Sequence, residues 1–84
     1  MSKHSASQCT NGIELADYAL THGAEEVRQA GSHKIIRLPN GENEVIPQHR
    51  WQLGKGLRYK ILKHLAAAGI TVLLVAIVLT GMIV

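Results

Sequence analysis

The alternation of apolar and polar residues divides the chain into a mixed part and an apolar end. Asn11 is a suitable helix N-cap, and Glu14 follows three residues later, as in a capping box. Apolar residues then recur at helical spacing as far as His22-Gly23, a pair typical of a helix C-terminus. The pattern therefore predicts a first helix that begins after Asn11 and ends near His22.

Three short β segments follow the first helix. Glu25–Arg28 is predicted as a short strand, and 34–38 and 43–47 are predicted as longer ones. Gly31-Ser32 is a turn between the first two strands, and Asn40-Gly41 is a strong hairpin signal between the last two.

A two-residue loop at Asn40-Gly41 would set the register of the second hairpin. It would place Arg37 opposite Glu44 and pair apolar residues with apolar residues. One face of the sheet would then carry the core positions Ile36, Leu38 and Val45. The other, more polar face would carry His33, Arg37 and Glu44.

A second helix is predicted to open at Gly54-Lys55-Gly56, with Leu57, Ile61 and Leu65 on one face. The order of helix, three strands and helix predicts an α+β domain with both helices on one face of a small antiparallel sheet.

Composition excludes several classes of site. The chain has 84 residues with no Phe and one Trp, so the core should be mainly aliphatic. The single Cys9 cannot form an internal disulfide, and the five His residues lack zinc-ligand spacing, so we predict no metal site. Residues 1–10 are polar, do not resemble a signal peptide, and are expected to be a disordered lead.

Charge is unevenly distributed along the chain. Residues 28–64 contain eight Lys and Arg against two Glu, whereas residues 1–27 contain one Lys against four acidic residues. A basic half of this kind suits a polyanion or an anionic membrane surface as partner.

The stretch from Leu65 to Val84 contains no charged residue. Twenty helical residues span about 30 Å, the thickness of one bilayer core. We therefore expect membrane lipid to bind Leu65 to Val84, with a single transmembrane tail anchor at 67–84 whose helix starts as early as 65. Lys and Arg just before it predict that the N-terminal domain lies on the cytosolic side of the inner membrane. A buried core helix or strand is the alternative, disfavoured because so small a domain could not cover it.

Two further features concern the predicted membrane-spanning tail. If Leu65 and Ala68 pack on the sheet instead, the membrane segment shrinks to 71–84, with Gly69 as the break point. Ala76 and Thr80 form a small-xxx-small pair that could support a homo-oligomer.

Several short motifs together resemble the HicA family, small toxins of bacterial and phage toxin–antitoxin systems. They are Gly31-Ser32-His33, the Pro-x-His of Pro47 and His49, then Leu53, Gly56, Ile61-Leu62 and Ala68-Gly69-Ile70. The resemblance covers roughly residues 13–70. It implies an α-β-β-β-α domain over 11–66, similar to double-stranded-RNA-binding domains. It also implies metal-independent cleavage of mRNA without a cofactor, and neutralisation by a HicB-like antitoxin.

The resemblance assigns the family's catalytic histidine to His33. An imidazole with its ordinary pKa of about 6.5 can exchange protons at neutral pH, as RNA cleavage through the 2′-hydroxyl requires. His49 is a candidate second proton-transfer group. The predicted RNA-binding residues are Arg28, Ser32, Lys34, Arg37 and Lys55. Trp51 could stack on a base or cover the core.

The sequence departs from the family in three places. Leu57 stands where a Thr often follows the glycine of the last helix, the closing segment is a few residues longer at 63–67, and the chain continues beyond Ile70 into the apolar tail. Two alternatives therefore stay open. One is a non-catalytic, membrane-anchored module that binds RNA or protein, with His33 an ordinary surface residue. The other is a small membrane-active toxin whose tail is the effector.

Overall fold

The computed structural model describes residues 6–70. It contains a 3-10 turn at Ala6–Gln8, then α1 (Gly12–Thr21), β1 (Glu25–Ala30), β2 (His33–Arg37), β3 (Asn43–Pro47) and α2 (Lys55–Ala67). The α-β-β-β-α order agrees with the predicted α+β fold. Residues 71–84 lie outside the described residues. The predicted membrane-spanning part and the Ala76–Thr80 pair therefore also lie outside them.

The first helix begins as its cap predicts. The Asn11 Oδ1 accepts a hydrogen bond from the Glu14 N–H at 2.9 Å. The Glu14 carboxylate accepts a hydrogen bond, also at 2.9 Å, from the N–H of Thr10, the residue before the cap. At the other end, the Tyr18 ring stacks on His22 with centroids 4.0 Å apart. Burial, and secondarily the nearby Cys9, raise the pKa of the Tyr18 phenol.

The strands form one antiparallel sheet in the order β1-β2-β3, and the predicted register of its second hairpin is wrong by one residue. Ile36 lies opposite Glu44 because the connecting loop has three residues rather than two. The Leu38 N–H donates to the Glu42 carbonyl at 2.7 Å, and the Gly41 N–H donates to the Leu38 carbonyl at 2.8 Å. Gly41 has a φ of +89°, which such three-residue loops require at their last position.

A one-residue shift moves every side chain of the shifted strand to the opposite face. Val45, predicted in the core, is 48% exposed, and Glu44, predicted on the polar face, is 7% exposed. The predictions for β2 are confirmed, since Ile36 is buried and Arg37 is exposed on the other face.

The core lies between the two helices and one face of the sheet, called here the inner face. Helix α1 contacts β2 and β3, and α2 contacts β3. The largest fully buried side chains are Leu15, Ile36, Ile46, Ile61, Leu65 and Cys9. They confirm a mainly aliphatic core. Leu57 is partly exposed, so it does not share the buried face of α2 as predicted.

Residues 6–10 belong to the folded domain rather than to a disordered lead. Ala6 and Cys9 are fully buried. The Arg58 Nε donates to the Cys9 carbonyl at 2.8 Å, and the Leu53 N–H donates to the Thr10 carbonyl at 2.9 Å. The segment before α1 is therefore hydrogen-bonded to α2 and to the loop that precedes α2.

Helix α2 ends inside the domain in a Schellman motif. The Gly69 N–H donates to the Ala66 carbonyl and the Ile70 N–H donates to the Leu65 carbonyl, each at 3.0 Å. Gly69 has a φ of +90°, and Leu65 and Ile70 are both buried. A helix running from 65 or 67 into the tail is therefore interrupted at Gly69. Within residues 6–70, no helix is both long enough and apolar enough to cross a membrane.

Candidate functional site

Among residues 6–70, the helices cover one face of the sheet, the inner face, and no helix packs on the other, the outer face. Directly paired residues share a face, and side chains alternate along each strand. The outer-face residues are Glu25, Arg28 and Ala30 of β1, His33, Ile35 and Arg37 of β2, and Asn43, Val45 and Pro47 of β3. This outer face is where a ligand can reach the strands.

His33 is the first residue of β2 and lies in the middle of the three strands, between Ala30 and Pro47. The two-residue Gly31-Ser32 loop precedes it, and Gly31 has a φ of +60°, the sign that short hairpin loops need. The side chain is exposed, and no residue within 6–70 binds it through a hydrogen bond or ion pair. Its two ring nitrogens are therefore available to a ligand.

Two of the predicted cations share the outer face with His33, namely Arg28 and Arg37. Both side chains are exposed. Glu25 lies opposite Arg37 at the end of the ladder away from His33, whereas Arg28 lies opposite the uncharged Ile35. Arginine is well suited to phosphate because its guanidinium donates two parallel hydrogen bonds.

The other two predicted cations lie elsewhere. Lys34 is on the inner face, where its Nζ lies 3.5 Å from the Glu26 carboxylate and most of the side chain is buried. Lys55 is exposed at the first residue of α2 and does not belong to a strand. The structure therefore places Lys34 on the face opposite His33 and Lys55 outside the strands.

The loop after β3 runs beside the loop that precedes His33. The Gln48 N–H donates to the Ser32 carbonyl at 2.6 Å. His49 follows directly, half-buried, with its ring stacked on that of Trp51 at 4.1 Å between centroids. Ser32 and His49 are thus near the His33 end of the outer face. Trp51 is 66% exposed, which excludes the interpretation that it covers the core.

A contact of His64 was not predicted from the sequence. The His64 Nδ1 lies 2.6 Å from the Oε1 of the buried Glu44, connecting α2 to β3. The contact depends on the three-residue loop between β2 and β3, which the sequence did not reveal. Only the register set by that loop places the Glu44 side chain on the inner face. In the described part of the chain, no three His, Cys, Asp or Glu side chains form a group that could hold a metal ion.

One comparison with known proteins gives a match. A family model described as the HicA toxin of bacterial toxin–antitoxin systems matches residues 14–69, which is 56 of the 84 residues. The match runs from the first turn of α1 to the glycine that ends α2, and includes every predicted site residue. Searches of curated proteins and of solved structures found no match.

Proposed function

Because the chain belongs to the HicA family of bacterial toxins, we propose that it is an endoribonuclease that cleaves mRNA. Membership of a toxin–antitoxin family implies an antitoxin of the HicB kind as its partner. The observation that carries the nuclease proposal is the exposed His33 at the start of the middle strand, on a sheet face that also carries Arg28 and Arg37.

The proposed reaction is cleavage by the RNA's own 2′-hydroxyl. His33 takes the hydroxyl proton, the oxygen attacks the adjacent phosphorus, and the bond to the 5′-oxygen breaks. The leaving oxygen takes a proton from a second group, for which His49 is the candidate because it follows Gln48, whose N–H bonds the Ser32 carbonyl beside His33. The products are a 2′,3′-cyclic phosphate and a free 5′-hydroxyl.

The outer-face arginines have the charge that this reaction needs. As the oxygen attacks, negative charge develops on the phosphorane, and the guanidinium group of Arg28 stabilises it, while Arg37, at the other end of β2, binds another phosphate of the RNA. Ser32 and the Gly31 backbone permit a close approach of the phosphate to His33. The proposed reaction uses no metal ion, so cleavage should persist in a chelator.

The decisive experiment compares the purified wild-type chain with His33→Ala on an RNA oligonucleotide in the presence of a chelator. We expect cleavage to fall by about 10²–10⁴-fold, the usual contribution of a general acid or base. His22→Ala is the matched control, because its ring bonds the Tyr18 carbonyl at the C-terminal end of α1 and it does not belong to the sheet. Mass spectrometry of the wild-type products should detect the cyclic phosphate.

Retention of wild-type cleavage by His33→Ala would contradict the proposal. If no variant cleaves RNA but Arg28→Gln and Arg37→Gln abolish RNA binding, the non-catalytic binding module is the better description. Lys34→Gln is the matched charge control for that test, since this lysine lies on the opposite face of the sheet.

We also propose that the chain is held at the inner membrane through residues 71–84, with the domain in the cytosol. These fourteen residues contain no charged side chain, and Lys60 and Lys63 are exposed on α2 shortly before them. As a helix the segment would span about 21 Å, shorter than a bilayer core of about 30 Å. The proposal is therefore attachment through a short segment rather than through 67–84.

Fractionation of cells tests the attachment. We expect the full chain to sediment with membranes and a chain ending at Ile70 to remain in the supernatant while still cleaving RNA. A truncated chain that stays with membranes would contradict attachment through 71–84. If the truncated chain cleaves RNA but the full chain also depolarises membranes, the tail is an effector as well as an anchor.

A further inference from the structure

We infer that Trp51 is a base-stacking residue that holds an unpaired RNA base next to the phosphate at which His33 acts. This inference rests on the proposed ribonuclease function. It goes further by naming the substrate as single-stranded RNA. Aromatic side chains stack on any exposed base, and recognition of single strands commonly depends on such stacking.

The exposure of the indole is the first observation. Trp51 is the only tryptophan of the chain, and it is 66% exposed to solvent. Its ring lies on the His49 ring with an interplanar angle of 11°. Because His49 covers one face, the exposed area belongs mainly to the opposite face and the edges. A flat, apolar surface of this kind matches the face of a nucleobase.

The loop that carries the indole is anchored at several points. The Asn11 Nδ2 donates to the Arg50 carbonyl at 3.3 Å, directly before Trp51. Two residues after it, the Leu53 N–H donates to the Thr10 carbonyl at 2.9 Å, and the Leu53 side chain is buried. A ring held in this way loses little conformational entropy on binding, so a larger part of the stacking energy contributes to affinity.

The position of the loop connects the indole to His33. The Gln48 N–H bonds the carbonyl of Ser32, the residue directly before His33. Trp51 is three positions after Gln48, so their Cα atoms are at most about 11 Å apart. One short oligonucleotide can therefore contact both His33 and Trp51. The exposed side chain of Arg50, next to the indole, adds a cation for its phosphates.

Stacking on Trp51 also predicts that duplex RNA is a poor substrate. In a duplex both faces of each base are already stacked on neighbours, whereas a base in a single strand can leave its neighbours and stack on the indole. The site therefore selects an unpaired base, without regard to which base it is.

The single tryptophan makes the contact directly measurable. Fluorescence of the full-length His33→Ala protein, excited so that only the indole responds, is titrated with a single-stranded RNA oligonucleotide. Its control is an oligonucleotide of equal length and charge with abasic positions, and a perfectly paired duplex is the third probe. We expect saturable quenching by the single strand and little quenching by the other two.

Equal quenching by the abasic strand would overturn the inference, because it would show contact with the backbone alone. A blue shift with vesicles of anionic lipid and no response to RNA would also overturn it. That result would place the indole in a membrane surface.

Kinetics give the second test, on wild-type protein with single-stranded substrate. We expect Trp51→Ala to raise KM by about five- to a hundredfold, and Trp51→Phe, which keeps an aromatic ring beside His49, to retain most of the affinity. Tyr59→Ala is the matched control, since Tyr59 is 68% exposed on α2, and it should leave KM unchanged. An unchanged KM for Trp51→Ala would overturn the inference.

Failure of the nuclease proposal has a different signature. A wild-type chain that does not cleave RNA, but whose indole is still quenched by the single strand and not by the abasic strand, contradicts catalysis and supports stacking. A chain that cleaves RNA with no effect of Trp51→Ala contradicts stacking and supports catalysis.

Discussion

The two faces of the sheet use their polar residues in opposite ways. On the inner face, Lys34 is paired with Glu26 at 3.5 Å, and Glu44 is bonded to His64 at 2.6 Å. On the outer face, no residue in the range 6–70 binds the His33 side chain. A charge on the inner face is already compensated within the fold, whereas the imidazole on the outer face is available to a ligand.

The comparison shows that residue type alone does not identify a site. His33 and His64 have the same side chain, but their neighbours differ. The His64 ring is held at Nδ1 by a buried carboxylate and connects a helix to the sheet. A buried carboxylate needs such a partner, because leaving it unsatisfied costs free energy. The His64 contact is therefore structural, and His33 is the better candidate for chemistry.

The largest expected effect on stability comes from a substitution at Gly12, where α1 packs against β3. A Cβ built on Gly12 would lie 1.6 Å from the backbone oxygen of Pro47, so Gly12→Ala must displace the helix from the strand. We expect a loss of about 4 kcal/mol or more in the free energy of unfolding, measured by urea denaturation.

Gly56→Ala is the control for the glycine substitution. A Cβ at Gly56 meets nothing within 4 Å, and alanine favours helix, so stability should stay constant or rise by up to about 1 kcal/mol. Equal effects of the two substitutions would contradict the close approach of α1 to β3.

Adjacent isoleucines on β2 test the difference between the faces directly. Ile36 is fully buried on the inner face, and Ile35 is only partly buried on the outer face. Ile36→Ala should cost about 3 kcal/mol, within the usual range of 2–5, because it leaves a cavity. Ile35→Ala should cost about 1 kcal/mol or less. The reverse order in thermal or urea unfolding would show that the assigned faces are exchanged.

The smallest of these effects concerns the Glu44–His64 contact. His64→Ala leaves the buried carboxylate without its imidazole and should cost about 1–3 kcal/mol. Lys63→Ala, at the exposed neighbour on the same helix, should change stability by no more than about 0.5 kcal/mol. If both variants are as stable as the wild type, the contact makes no net contribution to the fold.

Much of the fold follows from local signals. The Asn11 cap, the His22-Gly23 helix end, the strand at Asn43–Pro47 and the start of α2 at Lys55 agree with the structure. These features depend on residues close in sequence, so local preferences predict them well. The hairpin register was wrong because Asn-Gly is compatible with loops of two or three residues, and only cross-strand bonding selects between them.

The candidate site, like the fold, was predicted from the sequence only in part. The motif around His33 and its likeness to a toxin family were visible in the residues alone, as was the excess of positive charge. Lys34 and Arg37 looked equivalent as cations, but alternation along β2 places them on opposite faces. Lys55 is the first residue of α2 and does not belong to a strand.

The order of elements, the aliphatic core and the chemistry available to His33 were determined by the sequence itself, since each depends on local preference or residue type. Tertiary structure decided which residues share the outer face, that Glu44 is buried against His64, and that the indole of Trp51 is exposed near the His33 loop. The physical reason is that contacts between distant segments depend on register and packing. A shift of one residue, which local preferences barely distinguish, changes the face on which a side chain lies.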